Sequence, residues 1–149
     1  MHNKVNKVYY GLNIMQATML QTSVALSHGF EGLIDFLRDK EAGPSILSPK
    51  RFSDILSMDV QTLANQAHVH RNTISRAPTS ESLQNFLREA LRLICAACDL
   101  TGDVSRAIFW YRNEPLPPFG YKTAEQMVSE GRAEDVLRYV SSLEAGAAG

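Results

Sequence analysis

Apolar side chains at helical spacing recur along almost the whole chain, and this pattern limits the fold more than any other feature. In the longest stripe the apolar residues stand three or four apart: Leu83, Phe86, Leu87, Ala90, Leu91, Ile94 and Cys98. Such spacing places side chains on one face of an α-helix. Alternating strand patterns are almost absent. The sequence therefore predicts an all-α fold.

Helix-breaking residues divide this pattern into segments. Breaks fall at Gly43-Pro44, at Pro78, at Gly102 and in the proline-rich stretch 115–120. We expect helices at about 15–26, 30–37, 49–56, 60–67, 71–77, 81–101, 104–112, 123–130 and 133–144, and then a frayed tail of small residues. The predicted organisation is an N-terminal helical and dimerisation region (1–43), a helix-turn-helix domain (44–103) and a small C-terminal helical domain (104–149). Three apolar residues of the second helix supply a dimerisation face, part of the core, or both: Phe30, Leu33 and Leu37.

Composition narrows the class of protein. The 149 residues are 44% hydrophobic, which is enough to bury a core and excludes wholesale disorder. The net charge is −1, but the middle of the chain is mildly basic and the end is acidic. This charge distribution suits a middle segment that binds phosphates and a C-terminal segment that binds a protein. No run of eighteen apolar residues exists, and polar residues interrupt the one stretch that resembles a secretory signal, so we expect a cytoplasmic protein with no membrane contact.

Residues 60–79 fit the helix-turn-helix template. The template needs a small residue where its two helices cross, and Ala64 stands there. His68 occupies the turn, where a left-handed backbone usually favours glycine, and His tolerates that region better than most residues. Apolar residues that can seal the helix pair flank both positions: Leu63, Ala67, Val69 and Ile74.

The second helix of this motif, about 71–77, would be the DNA-recognition helix. Arg bonds bidentately to guanine and Asn to adenine, and an α-helix fits the major groove. The outward positions are His70, Arg71, Asn72, Ser75 and Arg76, and the candidates for phosphate contacts are Lys50, Arg51 and Thr62. An ordinary helical hairpin with a polar face fits the same pattern, so the motif alone leaves both interpretations open.

The C-terminal stretch carries a resemblance to a known family. Its motifs are Ala107–Tyr111, Asn113–Leu116, Phe119–Ala124, Gly131, Glu134–Leu137 and Leu143–Gly146. They resemble the C-terminal toxin-binding domain of the Xre/MbcA/ParS antitoxin family, which carries an Xre-like helix-turn-helix upstream. The resemblance covers about residues 48–146. Tyr111 stands where the family usually has Leu, and Ala124 where it usually has Pro.

This resemblance implies an antitoxin of a type II toxin–antitoxin pair. The usual partners of the family are RES-domain toxins, which degrade NAD or transfer ADP-ribose from it. The resemblance also implies that the antitoxin covers the active site of the toxin, and that a homodimer binds operator DNA to autoregulate the operon. The sequence itself shows no Ser/His/Asp order, no glycine-rich phosphate loop and no carboxylate pair, so we expect no enzymatic activity and no cofactor.

Candidate toxin contacts lie on the proline-rich loop and the last helix. Aromatic and apolar side chains on a stiff loop lose little entropy on binding, and acidic residues steer a cationic partner. The candidates are Leu116, Phe119, Tyr121, Glu134, Asp135 and Glu144. The alternative is that the apolar residues only pack the C-terminal domain and that the acids form a solvated face.

A zinc site and a ligand-sensing regulator are two other interpretations of the sequence. His68 and His70, together with Cys95 and Cys98, could hold zinc if the pairs converged, although cysteines on an apolar stripe more often act as small hydrophobic residues. The chain could also be a stand-alone DNA-binding regulator whose C-terminal domain senses a ligand or a protein. A ligand sensor needs a sizeable pocket, and the 37 residues after position 112 are few for building one.

Overall fold

The computed structural model describes the backbone of residues 3–148 and the side chains of residue 11 and residues 13–146. This part of the chain is all-α, as predicted, with two isolated β-bridges and no strand. A 3-10 turn, Pro117–Phe119, lies between the seventh and eighth helices. The helices are α1 (Asn3–Ser27), α2 (Gly29–Leu37), α3 (Pro49–Ile55), α4 (Val60–Ala67), α5 (Arg71–Arg76), α6 (Glu81–Thr101), α7 (Val104–Asn113), α8 (Ala124–Ser129) and α9 (Ala133–Ala148).

The two terminal helices are longer than predicted. Helix α1 begins at Asn3 rather than near residue 15, so α1 and not α6 is the longest helix of the described chain. Helix α9 continues to Ala148 through the segment expected to be a frayed tail. No proline interrupts either extension, and in the C-terminal one alanine, which has the highest intrinsic helix propensity, supports the helix, so both can continue without a periodic apolar stripe.

Side-chain caps explain where several helices begin. Ser48 precedes Pro49 and accepts a hydrogen bond from the backbone N–H of Arg51 at 3.2 Å. Asp103 caps α7 in the same way, and Thr123 forms a reciprocal capping box with Gln126 at the start of α8. Such caps satisfy N–H groups that have no partner within the helix, and each contributes about 1 kcal/mol.

The predicted helix-turn-helix and C-terminal domains share one hydrophobic core. Helix α6 packs against α7, α8 and α9, and Leu87, Ile94, Met127 and Val136 are all fully buried in a single cluster. Burying one such side chain stabilises the fold by about 1.5–3 kcal/mol. The segments 44–103 and 104–149 therefore form one folded unit joined through α6.

Helix α2 belongs to this core as well. Leu33 and Leu37 are completely buried, while Phe30 is half-buried against the same cluster. The side chain of Gln84 on α6 fixes the segment that follows α2. It accepts from the N–H of Leu47 at 2.9 Å and donates to the Leu47 carbonyl at 2.8 Å. Leu33 and Leu37 are thus core residues, which removes them from any dimerisation face.

Helix α1 meets the rest of the protein mainly through its C-terminal end. Ala25 is buried there, and α2 approaches so closely that a Cβ on Gly32 would lie 2.6 Å from the Ala25 carbonyl oxygen. The middle of α1 is exposed to solvent. No helix in the described part of the chain is both long enough and apolar enough to cross a membrane.

Candidate functional surfaces

Helices α4 and α5 form the helix-turn-helix that the sequence predicts. Leu63 and Ala64 are fully buried where the helices meet. His68 ends α4 with φ 55° and ψ 39°, the left-handed conformation expected at this turn. The N–H of Val69 then donates to the Ala64 carbonyl at 3.0 Å, which closes the turn. His68 thus stands in for the glycine usual at this position.

The outward residues of α5 are available to a ligand. Arg71, Asn72, Ser75 and Arg76 are exposed. Within the described chain, neither Arg71 nor Arg76 has an acidic side chain within 4 Å. His70 differs, because its Nδ1 accepts from the N–H of Asn72 at 3.1 Å and so caps α5. The ring is exposed, but one of its two nitrogens already has a local role.

The three candidates for phosphate contacts have local partners. Lys50 forms an ion pair with Asp54 at 2.9 Å on the surface of α3. The Arg51 guanidinium donates to the carbonyls of Phe36 and Arg38 at 3.1 and 3.0 Å and stacks on the Phe36 ring. Arg51 therefore holds α2 against α3. Thr62 is half-buried.

A carboxylate accompanies this basic surface. Asp59 caps α4 by accepting from the N–H of Thr62 at 2.7 Å. That hydrogen bond lowers the pKa of Asp59, and the nearby charge of Arg71 lowers it slightly further. Asp59 is therefore ionised at neutral pH. Its charge partly offsets that of Arg71 at the start of α5.

The proline-rich loop between α7 and α8 is held by a short antiparallel bridge. The N–H of Leu116 donates to the Lys122 carbonyl at 2.9 Å, and the Leu116 carbonyl accepts from the N–H of Tyr121 at 3.0 Å. The Leu116 side chain is only 2% exposed. The Leu116 side chain therefore anchors the loop to the hydrophobic core. The expectation that it contacts a toxin does not fit this buried position.

Tyr121 is presented on this loop in an uncommon backbone conformation. Its φ is 64°, directly after Gly120 at 65°, and its side chain is 69% exposed. A left-handed backbone costs a residue with a Cβ about 1–2 kcal/mol. Strain of this kind concentrates at functional sites. An exposed aromatic ring gains nothing from packing here, so Tyr121 has the features of a binding residue.

Phe119 packs within the C-terminal domain and also keeps part of its ring exposed. It is half-buried, with its ring edge-to-face against Tyr139 on α9 at 5.8 Å between centroids. The Arg132 guanidinium lies 5.7 Å from the centre of the same ring. The remaining exposed edge of Phe119 can contact a partner.

Phe109 on α7 is an exposed aromatic residue that the sequence prediction missed. It is 67% exposed, whereas its neighbours Ala107 and Tyr111 are fully buried. Helical spacing could have indicated this exposure, because residues 107 and 111 are four apart and share one face of α7, whereas residue 109 lies on the opposite face. Phe109 therefore joins Tyr121 as exposed aromatic surface of the C-terminal domain.

The acidic candidates on α9 are mostly paired within the chain. Glu134 lies 3.5 Å from Arg92 on α6, and Asp135 lies 3.0 Å from Arg132. Glu144 is exposed and has no basic partner within 4 Å in the described chain. Of these three acidic residues, Glu144 is the one whose carboxylate is available to pair with a basic residue of a partner.

Tyr111, one of the two residues that depart from the family pattern, is completely buried, and its hydroxyl has no hydrogen-bond partner in the described structure. Burial raises the pKa of this phenol far above its ordinary value. Its neighbour Trp110 is half-buried against the core.

We expect Tyr111→Phe to raise the free energy of unfolding by about 1 kcal/mol, because a buried unpaired hydroxyl is removed and the ring is kept. Urea unfolding measures the change. Tyr111→Ala is the control for the ring, and it should lower stability by about 3–5 kcal/mol through the cavity it leaves. A Phe variant less stable than the parent would mean that the hydroxyl has a partner after all.

A half-buried polar network joins the helix-turn-helix to the C-terminal domain. Glu125 on α8 accepts from Arg112 on α7 at 2.9 Å and from Gln66 on α4 at 2.7 Å. Arg112 also donates to the carbonyl of Leu56, at the end of α3. The Glu125 carboxylate therefore joins α4, α7 and α8, and Arg112 extends the network to the end of α3.

The turn of the helix-turn-helix also contacts the C-terminal domain. Nε2 of His68 lies 2.7 Å from the carbonyl oxygen of Ser129, and because a carbonyl only accepts, Nε2–H is the donor. The Ser129 hydroxyl donates in return to the Gln66 carbonyl at 2.8 Å. The end of α8 thus fixes the turn that positions α5.

Neither cysteine is arranged for metal binding. Cys95 and Cys98 are free thiols, half-buried on α6. Burial raises the pKa of Cys98 to about 11, which disfavours the thiolate that zinc needs. Across the described residues, no three His, Cys, Asp or Glu side chains cluster in a way that could hold a metal ion.

The described part of the chain is thus helical and has two separate candidate surfaces, a helix-turn-helix and the exposed aromatic residues of the C-terminal domain. Residues 96–146 match the family model of the antitoxin Xre/MbcA/ParS C-terminal toxin-binding domain. This match confirms the resemblance for the C-terminal third of the chain and supports a role as an antitoxin. The match begins inside α6, upstream of the predicted boundary at 104. No curated protein and no solved structure matches the chain.

Proposed function

We propose that this protein is the antitoxin of a type II toxin–antitoxin pair and neutralises a RES-domain, NAD-consuming toxin by direct binding. The toxin-binding domain match is the observation that carries the proposal. The C-terminal domain covers the active site of the toxin. The helix-turn-helix binds operator DNA as a homodimer and represses the operon.

The exposed aromatic residues support a toxin contact on the C-terminal domain. Tyr121 and Phe109 both lie within the matched segment, and both expose about two thirds of their surface. Aromatic side chains dominate the binding energy of interfaces. The bridge between Leu116 and Lys122 fixes the Tyr121 loop before binding, so little entropy is lost on association. The free carboxylate of Glu144 adds attraction towards a cationic cleft.

Replacing Tyr121 tests this surface. We expect Tyr121→Gly to weaken toxin binding by about 30-fold or more, the loss typical of a central aromatic contact. Gly adopts φ 64° without strain, so the variant should be at least as stable as the parent. Isothermal titration with the purified toxin measures affinity, and residual NAD consumption measures neutralisation.

Tyr121→Phe is the matched variant, since it keeps the ring and should keep most of the affinity. If the Gly variant bound toxin as tightly as the parent, the loop would lie outside the interface. Purification of the tagged chain from its host provides the independent check. A small stoichiometric protein that depletes NAD when expressed alone is the expected companion.

A regulator that senses a ligand is the second candidate, and an open surface pocket favours it. A pocket of about 680 Å³ lies between α2, α6 and α9, within the size range of small-molecule sites. Phe30, Ile34 and Leu91 are among its apolar lining residues, and Arg38 and Arg88 stand at the same pocket. Purification of operator DNA or a small molecule with the chain, and of no toxin, would favour this candidate.

A further inference from the structure

The open surface pocket between α2, α6 and α9 has an apolar interior. Its apolar lining residues come from all three helices: Phe30, Ile34, Leu91, Cys95 and Leu137. Leu91 belongs to the hydrophobic core, and the side chains from α2 and α9 pack against that core. The pocket, about 680 Å³ in volume, is therefore formed before any ligand binds.

The segment that follows α2 contributes a further wall of this pocket. Arg38 and Leu47 form an isolated antiparallel bridge, and both residues line the pocket. Gln84 on α6 binds the backbone of Leu47 through two hydrogen bonds. Arg88 lies about one helical turn after Gln84 and lines the pocket as well. These contacts place Arg38 and Arg88 at the same end of the pocket.

This end of the pocket carries positive charge that the chain does not neutralise. Arg38 and Arg88 are exposed, and within the described residues neither has an acidic side chain within 4 Å. Arg88 donates to a neutral side-chain amide at 3.0 Å. Arg92, by contrast, pairs with Glu89 at 3.2 Å and with Glu134 at 3.5 Å. Two arginines at the pocket are therefore available to an anion.

The opposite end of the pocket is acidic. Asp99 lines it, is exposed, and has no basic side chain within 4 Å in the part of the chain that the structure describes. Asp99 and Arg88 stand about 16 Å apart along α6, which is enough for an extended chain of about ten carbons. Leu91 and Cys95 lie between them. The pocket thus has a basic end, an apolar middle and an acidic end.

We propose that this pocket binds a medium-chain fatty acid, with its carboxylate at Arg38 and Arg88 and its tail along the apolar middle. Guanidinium groups form paired, charge-assisted hydrogen bonds with carboxylates. The tail and the lining side chains both lose contact with water, which favours binding. Asp99 repels a second carboxylate, so the site selects a monocarboxylate. This ligand class belongs to the pocket that favours the second candidate function, but the binding itself rests on neither proposed function.

Isothermal titration of the full-length chain, without toxin or DNA, compares four probes. Decanoate should bind, and acetate, which lacks the tail, should show no measurable binding. Decylamine has the same tail with a positive head, and sebacate has a carboxylate at both ends of a ten-carbon chain. Both should bind more than tenfold more weakly than decanoate, because each places a like charge against a charged end of the pocket.

The double variant Arg38→Gln/Arg88→Gln tests where the carboxylate binds. Both side chains are exposed, so the variant should fold normally, and it should bind decanoate more than tenfold more weakly than the parent. Arg106→Gln/Arg138→Gln is the matched control, since it removes the same charge from exposed positions that do not line the pocket. This control should bind decanoate like the parent.

The thiol of Cys95 reports on the position of the tail. The chain has two cysteines, so Cys98→Ala leaves Cys95 as the single thiol. Decanoate at ten times its dissociation constant fills about 90% of the sites, so it should slow the reaction of Cys95 with N-ethylmaleimide about tenfold. Mass spectrometry measures this rate.

Three results would overturn the proposal: decylamine or sebacate that binds as tightly as decanoate, equal affinities of the two double variants, or a Cys95 that decanoate does not protect. A parent that binds no decanoate would overturn it as well. In that case, weaker toxin binding by Arg38→Gln/Arg88→Gln would assign the pocket to the toxin. Unchanged toxin binding would leave the proposed antitoxin function standing.

Discussion

The double variant Arg71→Ala/Arg76→Ala should lose at least about 100-fold in operator affinity while binding toxin as tightly as the parent. Each contact between an arginine and a base is worth about 1–3 kcal/mol of discrimination. Both side chains are exposed on α5 and have no acidic partner within 4 Å in the described chain. The exposed aromatic residues of the toxin-binding domain are unchanged in this variant.

Fluorescence anisotropy with operator DNA at several salt concentrations measures the effect. Affinity of the parent should fall steeply with salt, and each arginine that contacts a phosphate should reduce the slope by about one when it is removed. Arg88→Ala removes an exposed charge on α6 and is the control. Salt-insensitive binding would show that α4 and α5 only support the fold. Loss of both functions in a folded variant would contradict the division into two surfaces.

Glu125→Ala should lower the free energy of unfolding by about 2–3 kcal/mol. The Glu125 side chain is 13% exposed and its partner Arg112 is 27% exposed. Removing one member of a fully buried pair costs about 3–5 kcal/mol, because the other charge stays buried without compensation, and partial exposure reduces that cost. Gln66 loses its acceptor at the same time. Urea unfolding gives the value directly.

Glu130→Ala is the matched control for this prediction. Glu130 forms an ion pair with Lys122 at 2.7 Å, but both side chains are more than 40% exposed. Exposed pairs are worth about 0–1 kcal/mol, so this variant should be nearly as stable as the parent. If the two variants lost equal stability, Glu125 would have no special role in joining the helices.

Local signals predicted most of the helices correctly. Caps such as Ser48 and Asp103, and breaks such as Pro78, act within a few residues, so the sequence displays them directly. The left-handed turn at His68 was predicted for the same reason. The lengths of the two terminal helices are not evident from apolar periodicity, because these segments lack a regular apolar stripe and only the absence of proline indicates that the helices continue.

Contacts between distant segments could not be predicted. Arg51 looks like a phosphate ligand in the sequence, but the carbonyls of Phe36 and Arg38 bind its guanidinium. Leu116 is adjacent to exposed residues and is nevertheless buried. The hydrogen bond between Glu125 and Gln66 joins residues that are 59 positions apart. The sequence around each residue does not indicate which distant residue it contacts.

The bond between His68 and Ser129 has a consequence for engineering new antitoxins. His68 binds a backbone carbonyl, which any residue at position 129 supplies, but a chimera with another residue there would lose the Ser129 hydroxyl that binds the Gln66 carbonyl beside this turn. Cutting between Gly102 and Val104 would divide a single core, because α6 packs against helices on both sides of the cut. A working exchange must therefore carry the partner residue Gln66 of α4 with the C-terminal segment, so the helix-turn-helix and the matched domain are best exchanged as one unit.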